Sequence, residues 1–512
     1  MSMPSPLPRF QWQSIALIVL AKLALHIVAN DGYGFHRDEL LYLSLGRYPD
    51  WGYWSNPPMI GWISWLVQHI IGDSVAAIRA VSSLVGCAVV VLAGLMAREM
   101  GGGRIAQTLA ALAVAASPGF LRGSSLFQPV IFDILNWTLL CWILLRYLRT
   151  GHLQYVVWWG VFFGLGFLNK YMVVFMLPAL VPALILGGRR HVLWSLAALK
   201  AALWAALIIA PNIWWQYQHD WPVIAHMQGL SQNQLVNVQR LDFLSDQLVI
   251  HALGFLIWIP GLYWLLRGRI HPFSAAGWLY VFVIAILLLL KGKSYYSVGL
   301  YPMLMAAGGM WWEQRFRSPW VAISLGGILV GTLIPLLPFA LPVLQPDKMV
   351  TFGQKWATKA HFDAPLRWED GQVHPLPQDY ADMLGWDELA RHATKAYEQA
   401  EDPSHTMIYG ENYGQAGAVL VLGGKQLPRP QSFADNFLLW ADPHTDANAL
   451  IYINDELGED VAALFEKVHL IGQIEHPYAR EHGTSVYLLE RPRQPFAELW
   501  AARVREERGR VE

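Results

Sequence analysis

Four ionisable residues, His36, Arg37, Asp38 and Glu39, stand together in the stretch GFHRDELLYL, directly after the first apolar segment. Only 15% of the 512 residues are charged, so this cluster is a candidate for chemistry. On a helix, adjacent side chains diverge by about 100°, which makes a carboxylate pair sharing one proton improbable. We expect one carboxylate to face a cavity and the other to hold the loop through hydrogen bonds. The alternative is a solvated loop, or a helix N-terminus where acids offset the helix dipole.

A third carboxylate, Asp133, lies in the apolar stretch QPVIFDILNW. A charge at the centre of a membrane costs about 2.5–3.5 kcal/mol on insertion scales, so ionisable residues in spans are functional candidates. The alternative is that Asp133 pairs with a cation such as Lys170 and holds helices together. Such a pairing does not exclude a position beside an active site.

The composition divides the chain into two parts. Overall, 54% of the residues are hydrophobic and 25 are Trp, whereas the 15% that are charged fall below the roughly 25% usual in soluble domains. Residues 1–345 consist mostly of apolar runs, and residues 346–512 have the composition of an ordinary soluble domain. We therefore expect a membrane domain that includes an outer loop at 31–74, followed by a soluble domain.

Several classes of partner and cofactor are not expected. The net charge of −1 argues neither for nor against nucleic acid, but no basic stripe interleaved with aromatic residues is present, so we expect no nucleic-acid partner. The two cysteines, Cys87 and Cys141, lie in apolar runs, which argues against a disulfide framework and a cysteine metal site. The 17 histidines show no metal-ligand spacing. We expect no cofactor, although a divalent metal stays open.

Long apolar runs predict a polytopic α-helical membrane protein, because a spanning helix needs about 20 apolar residues. The candidate spans, about eleven, are residues 13–30, 75–97, 105–121, 127–145, 153–169, 171–187, 192–211, 247–266, 273–290, 295–312 and 319–342. The run from Pro57 to Gly72 is shorter and rich in Trp, so we expect it to form an interfacial helix lying on the membrane.

The basic residues of the short loops orient these spans, because Lys and Arg favour the cytoplasmic side. With the N-terminus inside, the inside connections carry Arg9, Arg98, Arg104, Arg146, Arg149, Arg189, Arg190, Arg267, Arg269, Arg315 and Arg317. The loops 31–74 and 212–246 and the soluble domain then lie outside the cytoplasm. We expect a multi-pass protein of the inner membrane with its C-terminal domain in the periplasm, if the cell is Gram-negative.

Cations on the outer face run against this bias and need another explanation. They are Arg37, Arg47, Arg79, Arg122, Lys170, Arg240, Lys291 and Lys293. We expect several of them to face a shared polar cavity that binds anions. Together with the outer carboxylates, they suit transfer of a group from a lipid phosphate: a carboxylate accepts a proton from an acceptor hydroxyl, and cations stabilise the leaving phosphate. Such a reaction needs no metal in principle.

A family resemblance is carried by the segments FHRDELLYL with YWSNPPMIGW, FDILNW, GLGFLNKYM and KGKSYYSVGLYPML. In this order they resemble the bacterial branch of the protein O-mannosyltransferase superfamily. These are GT-C glycosyltransferases of family 39 type, a group that includes the lipid A aminoarabinose transferase. The resemblance covers residues 10–345. One departure is Asn56, where many relatives have a His or Lys, and it suggests a different sugar or acceptor.

The resemblance implies roles for particular residues. The acidic residues of the family map onto Asp38, with Glu39 beside it, and onto Asp133, which makes these three the catalytic candidates. The residues implied or expected to bind the donor phosphate are Lys170, Lys293, Arg37, Tyr295 and Tyr296.

The implied function is an integral-membrane glycosyltransferase. It would move a hexose or pentose from a polyprenyl-phosphate donor to a lipid, glycan or protein acceptor on the outer face of the inner membrane, with inversion. The alternative is a transporter or flippase of lipid-linked saccharides. Such a transporter should show two related halves or paired broken helices, and the sequence shows no such symmetry.

The soluble part predicts a small α/β domain, because strand-like and helix-like segments alternate. HTMIYG, ALIYIND and GTSVYLLER predict strands, whereas residues 376–400, NYGQAGAVLVLG and ELGEDVAALFEKV predict helices. The stretch ENYGQAG either binds a phosphate or sugar at a helix N-terminus or is purely structural. The aromatic residues Tyr413, Phe437 and Trp440 either contact a sugar or belong to the core.

Overall fold

The computed structural model describes residues 6–30, 32–233, 239–267, 272–316 and 318–509. Two arginines that support the predicted orientation, Arg269 and Arg317, lie outside these ranges. The described chain is helical up to Ala340, and a mixed α/β part follows. This division agrees with the change of composition near residue 345.

The helical part follows the predicted apolar runs. Its α-helices are α1 (Trp12–Ala29), α2 (Arg37–Arg47), α3 (Met59–Ile70), α4 (Val75–Glu99), α5 (Arg104–Ala115), α6 (Pro118–Gly123), α7 (Pro129–Thr150), α8 (Gln154–Asn169), α9 (Met176–Leu186), α10 (Leu196–Gln218), α11 (Pro222–Asn233), α12 (Arg240–Val249), α13 (Phe255–Leu266), α14 (Ser274–Leu289), α15 (Tyr301–Arg315) and α16 (Pro319–Ala340). Short 3₁₀ helices at Tyr171–Phe175 and Ser294–Leu300 precede α9 and α15. Each predicted span coincides with one helix or with consecutive helices.

Among the described residues, five helices are long and apolar enough to cross a membrane: α1, α4, α7, α10 and α16. A sixth span results if α12 and the segment Ala252–Leu266, which meet at 92°, count as one. Other predicted spans are shorter or broken; α6, for instance, begins anew at Pro118, which has no N–H to continue α5. The polytopic helical architecture is confirmed, and the number eleven stays a prediction.

The α/β part contains one four-stranded sheet. Its strands are β1 (Thr406–Gly410), β2 (Ala449–Asn454), β3 (Phe465–Gln473) and β4 (Ser485–Pro492), in the order β1-β2-β4-β3. Strands β1 and β2 are parallel, and β4 is antiparallel to both β2 and β3. The helices are α17 (Pro346–Lys359), α18 (Gln378–Ala381), α19 (Trp386–Gln399), α20 (Tyr413–Leu422), α21 (Asn436–Trp440), α22 (Glu459–Ala462) and α23 (Phe496–Gly509).

Two helix predictions in this part need correction. ELGEDVAALFEKV forms only the short α22, because Phe465 already begins β3, and pairing with β4 outweighs the local helical period. The helix predicted at 376–400 is divided into α18 and α19. Gly385 stands between them with φ of 90°, a left-handed conformation that favours glycine and interrupts a helix.

The cluster His36–Glu39 forms the N-terminus of α2. The ring nitrogen Nδ1 of His36 accepts a hydrogen bond from the Asp38 amide at 3.1 Å, and the Glu39 carboxylate accepts one from the His36 amide at 2.9 Å. These reciprocal bonds form a capping box, which satisfies amides that have no partner inside the helix. The direction in which Asp38 and Glu39 point is thereby set by the local sequence.

Helix α2, which lies within the outer loop 31–74, packs against the α/β part. Its residues Leu40 and Leu43 belong to one hydrophobic cluster with Trp386 and Val419. Gly417 permits the close approach of α20, since a Cβ at this position would lie only 3.1 Å from the Cβ of Leu40. The outer loop and the α/β part therefore pack around one shared core, while the domain boundary at residue 345 stays a prediction.

Candidate active site

Asp38, the second residue of α2, is half-buried. Its Oδ1 accepts a hydrogen bond from the Tyr413 hydroxyl at 2.9 Å, and its Oδ2 accepts one from Gln128 Nε2 at 3.1 Å. Tyr413 begins α20 and Gln128 precedes α7, so three distant segments converge on one carboxylate. A carboxylate has about four lone-pair sites. The two contacts therefore leave Asp38 able to accept a proton, as a general base must.

Glu39 is completely buried and fully engaged. Its carboxylate accepts hydrogen bonds from Arg79, the shortest at 2.7 Å, and from the amides of His36 at 2.9 Å and Phe127 at 2.8 Å. Burial raises the pKa of Glu39, but the charge of Arg79 and these hydrogen bonds outweigh it and hold the pKa below its ordinary value. Glu39 therefore ties α2 to α4 and to the start of α7.

The two adjacent carboxylates differ in their access to solvent. Asp38 has access to solvent, whereas Glu39 has none, so Glu39 cannot touch a substrate. Its buried contacts hold the loop that carries Asp38, while its place among the catalytic candidates stays a prediction. This division follows from the divergence of neighbouring side chains on a helix.

Asp133 and Lys170 form a second polar group at the ends of α7 and α8. Asp133 is 7% exposed, and its Oδ1 has no hydrogen-bond partner in the part of the chain that the structure describes. A buried oxygen of this kind calls for a bound group or water. Lys170 follows the last residue of α8 and interacts electrostatically with both Asp133 and Lys293. The alternative interpretation, in which Asp133 offsets the charge of Lys170, is compatible with this arrangement.

Two tyrosines link this group to Asp38. The Lys170 ammonium lies 5.2 Å from the ring centroid of Tyr295 and 5.3 Å from that of Tyr296, within cation–π range. Tyr295 interacts electrostatically with Asp38 and with Asp133. The 3₁₀ helix Ser294–Leu300, which Lys293 precedes, thus lies within electrostatic reach of both carboxylates. The structure brings these candidates from α2, α7, α8 and the start of α15 to one site.

Arg37 is placed differently from the lysines. Its guanidinium lies 4.4 Å from the ring centroid of Tyr413, and its amide donates a hydrogen bond to the Asp382 carbonyl at 3.0 Å. These contacts place the side chain of Arg37, the first residue of α2, against the α/β part and next to Tyr413, which binds Asp38. Its assignment to the donor phosphate stays a prediction.

One group of side chains has a geometry that could suggest a metal. Nε2 of His36 and carboxylate oxygens of Asp379 and Asp382 lie within 4.8 Å of one another. However, Nδ1 of His36 accepts the Asp38 amide, so Nε2 carries the proton and is not available as a ligand. Arg122 pairs with Asp379, and Arg480 pairs with Asp382 at 3.1 Å. The group fits an ion-pair network, and metal dependence stays a prediction.

Sequence reasoning missed two partners of the site. No motif marks Gln128, and the sequence leaves Tyr413 open between a sugar contact and a core residue. The bond from Tyr413 to Asp38 joins positions that are 375 residues apart. The stretch ENYGQAG predicts either a phosphate or sugar site or a purely structural segment, and the contact of Tyr413 with Asp38 depends on the packing of α20 against α2.

The comparisons with known proteins concern first the helical part. Residues 55–215 match the family described as dolichyl-phosphate-mannose-protein mannosyltransferase. The lipid A galacturonosyltransferase RgtD of Rhizobium johnstonii is 29% identical over 246 residues, which are 47% of this chain and 51% of that protein. The chain therefore spans about half the length of this curated relative.

Similar solved structures cover nearly the whole chain. Crystal structures of ArnT from Cupriavidus metallidurans, in the apo state and bound to undecaprenyl phosphate, both have a TM-score of 0.60, at 15% and 14% identity. They cover 93% of this chain and 97% and 98% of theirs. The archaeal oligosaccharyltransferase AglB from Archaeoglobus fulgidus, in complex with an inhibitory peptide and a dolichol-phosphate, has a TM-score of 0.52 at 12% identity and covers 86% of this chain and 70% of its own.

At these identities the structural likeness establishes the fold alone. Because the match covers 93% of this chain, it includes the α/β part as well as the helical part. The family match includes FDILNW and GLGFLNKYM, two of the segments that carry the resemblance. The chain thus has the GT-C fold of a polytopic membrane protein, and over residues 55–215 it is similar to the dolichyl-phosphate-mannose-protein mannosyltransferases.

Proposed function

We propose that the protein is a glycosyltransferase that takes a sugar from a polyprenyl-phosphate donor at the outer face of the inner membrane. The observation that carries this proposal is the placement of Asp38 and Lys170 around Tyr295. A carboxylate with free lone pairs and a pair of lysines, Lys170 and Lys293, stand at the ends of apolar helices. A lipid phosphate in a membrane lies at the same level as such helix ends.

The reaction that suits this arrangement is a single displacement. Asp38 accepts the proton of an acceptor hydroxyl, whose oxygen forms a bond to the anomeric carbon of the sugar. The bond from that carbon to the phosphate oxygen breaks at the same time, and the polyprenyl phosphate leaves with the electron pair. Lys170 and Lys293 stabilise the charge that develops on this phosphate. Attack opposite the leaving group inverts the anomeric configuration.

The names of the similar proteins support a lipid-phosphate donor. ArnT has been solved with undecaprenyl phosphate and AglB with a dolichol-phosphate, and RgtD is named as a galacturonosyltransferase. The acceptor is a lipid, glycan or protein, with lipid A as the first candidate because RgtD acts on it by name. Among the described residues, no observation favours a flippase of lipid-linked saccharides over a glycosyltransferase.

A transfer assay tests this function. The purified full-length protein in nanodiscs is incubated with undecaprenyl-phosphate-linked galacturonic acid, mannose or aminoarabinose, each radiolabelled in the sugar, and with lipid A or a peptide mixture. Label should move to an acceptor product. Movement of the labelled lipid across reconstituted vesicles without any product would instead support the flippase.

Within the same assay, Lys170→Ala and Lys293→Ala should each lower turnover or raise the donor concentration required. Removal of one contact that stabilises transition-state charge costs about 10²–10³-fold in rate. Lys200→Ala, which removes an exposed lysine of α10, is the matched control and should behave like wild type. Wild-type donor binding and rate in both site variants would show that these lysines are structural.

The orientation of the chain is open to a separate measurement. The basic inside connections predict that the C-terminus is periplasmic, because Lys and Arg are retained on the cytoplasmic side. A reporter that is active only in the periplasm should therefore be active at the C-terminus and silent when it is fused after Arg190. A reporter that folds only in the cytoplasm should give the opposite pattern. Reversed activities would contradict both the orientation and the access of a periplasmic acceptor.

A further inference from the structure

A buried glutamine of α12 binds the 3₁₀ helix Ser294–Leu300 at several points. Gln247 is 4% exposed. Its Oε1 accepts hydrogen bonds from the Ser297 hydroxyl at 2.6 Å and from the Tyr301 hydroxyl at 2.7 Å, and its Nε2 donates one to the Ser294 carbonyl at 3.2 Å. An amide oxygen has two lone pairs, so both are in use. A buried network that is satisfied in this way makes the segments it joins rigid.

The neighbouring residue of α12 adds a second link to the same 3₁₀ helix. Oδ2 of Asp246 accepts a hydrogen bond from the Ser294 hydroxyl at 2.5 Å. Helix α12 meets the following segment, Ala252–Leu266, at an angle of 92°. At this break the Gly119 amide of α6 donates a hydrogen bond to the Ile250 carbonyl at 2.9 Å. The contact with α6 thus supports the bend at which the side chains of α12 reach the 3₁₀ helix.

The 3₁₀ helix carries two side chains of the candidate active site. Tyr295 and Tyr296 directly follow Ser294, and their ring centroids lie 4.8 Å apart. The Lys170 ammonium lies 5.2 Å and 5.3 Å from these two centroids. A 3₁₀ helix has three residues per turn, so Ser294 and Ser297 share one face. That face is bonded to α12, and the two residues between its serines contact Lys170.

We infer that Gln247 and Asp246 are positioning residues for the lipid-phosphate donor, because they hold the 3₁₀ helix where Tyr295 and Tyr296 contact Lys170. This inference rests on the proposed function and gives α12 a part in donor binding. A cation–π contact requires the cation within about 6 Å of the ring centroid. If the 3₁₀ helix shifts, the ammonium loses these two contacts and no longer has one fixed place for the phosphate. A site ordered before binding costs less to occupy.

The test measures donor binding by Gln247→Met in the full-length protein in nanodiscs. Methionine has a similar length but no group that replaces the amide, so three hydrogen bonds to the region of the 3₁₀ helix are lost. The Kd for undecaprenyl phosphate and the KM for the sugar donor should each rise about tenfold. The acceptor KM should stay within about twofold of wild type. Ser294→Ala, which removes the link to Asp246, should raise the same two constants by about three- to fivefold.

Gln107→Met is the matched control. Gln107 is a fully buried residue of α5 that accepts a hydrogen bond from the Gln11 amide at 3.0 Å and donates one to the Gly102 carbonyl at 2.9 Å. The nearby Gly103 amide donates to Glu313, close to the C-terminal end of α15. Gln107 therefore lies towards the opposite end of α15 from the 3₁₀ helix. Both glutamine variants should lower the unfolding temperature, but Gln107→Met should leave donor binding within about twofold of wild type.

A second readout separates positioning from a purely structural role. In the Lys170→Ala background, Gln247→Met should weaken donor binding much less than in wild type, because the two changes act through the same ammonium and are not additive. Full additivity would overturn the inference, and so would a lowered unfolding temperature with unchanged donor constants. If Gln247→Met does not fold, unchanged donor constants in Ser294→Ala decide against the inference.

Failure of the proposed function would appear separately, as absence of sugar transfer by the wild-type protein. The inference is then judged from the Kd for undecaprenyl phosphate alone, which Gln247→Met should still raise about tenfold. Absence of undecaprenyl phosphate binding by the wild-type protein would overturn the inference as well.

Discussion

Asp38→Asn should abolish sugar transfer, with kcat lowered about 10²–10⁴-fold, the usual cost of losing a general base. The amide keeps the size of the side chain and can still pair with the Tyr413 hydroxyl and with Gln128, whose amide group can turn to accept instead of donate. The variant should therefore fold and bind undecaprenyl phosphate like wild type. What it lacks is the basic oxygen that takes the proton of the acceptor.

The matched control is Asp73→Asn, which changes an exposed acid of the same outer loop and should leave turnover unaffected. The anomeric configuration of the product, read by NMR, gives a second readout and should be inverted relative to the donor. Activity near wild type in Asp38→Asn, or a product with retained configuration, would remove Asp38 from the chemical step. The cluster at His36–Glu39 would then be a capped helix N-terminus and nothing more.

Glu39→Gln and Arg79→Met should each destabilise the protein by about 3–5 kcal/mol, because either change leaves an uncompensated charge or polar group in a buried pair. Both side chains are at most 1% exposed. The double variant Glu39→Met/Arg79→Met should recover only part of this loss, since the amides of His36 and Phe127 would still lack their acceptor. Thermal unfolding in detergent measures the changes.

The same pair predicts a pH dependence of stability. Because the pKa of Glu39 is lowered in the folded protein, its contribution is present above the ordinary carboxyl pKa and is lost as the pH falls through the lowered value. Glu39→Gln should flatten the acid limb of the unfolding curve. Asp363→Asn, which breaks the exposed ion pair with Arg367, should change stability by no more than about 1 kcal/mol. Equal effects of Asp363→Asn and Glu39→Gln would contradict a special role of the buried pair.

Much of the architecture could be predicted from the sequence because a membrane helix is specified by the residues of its own segment. Apolar runs of sufficient length specify them, and each predicted span coincides with helix in the structure. The different burial of Asp38 and Glu39 could also be predicted, since adjacent side chains on a helix point in different directions. The helix that became β3 could not, because its partner β4 lies later in the chain and decides its conformation.

The parts of the site that escaped prediction are those built by distant contacts. Tyr413 reaches Asp38 only because α20 packs against α2, and the sequence around it leaves open whether it contacts a sugar or belongs to the core. A buried cation escaped as well: Lys22, in the middle of α1, contacts His26 at 2.7 Å and the Ser124 hydroxyl at 2.6 Å. A single lysine in an apolar run does not disturb the pattern that predicts a span, so its partners become visible only in the fold.

The bond between Tyr413 and Asp38 also has a consequence for biosynthesis. A ribosome adds about 5–20 residues per second, so the 375 positions between the two residues correspond to roughly 20–75 s of translation. During this interval α2 has already been made, but the tyrosine that binds its aspartate has not. A nascent chain at this stage thus carries an incomplete candidate site, which is completed only when the last third of the protein has been made and has packed against α2.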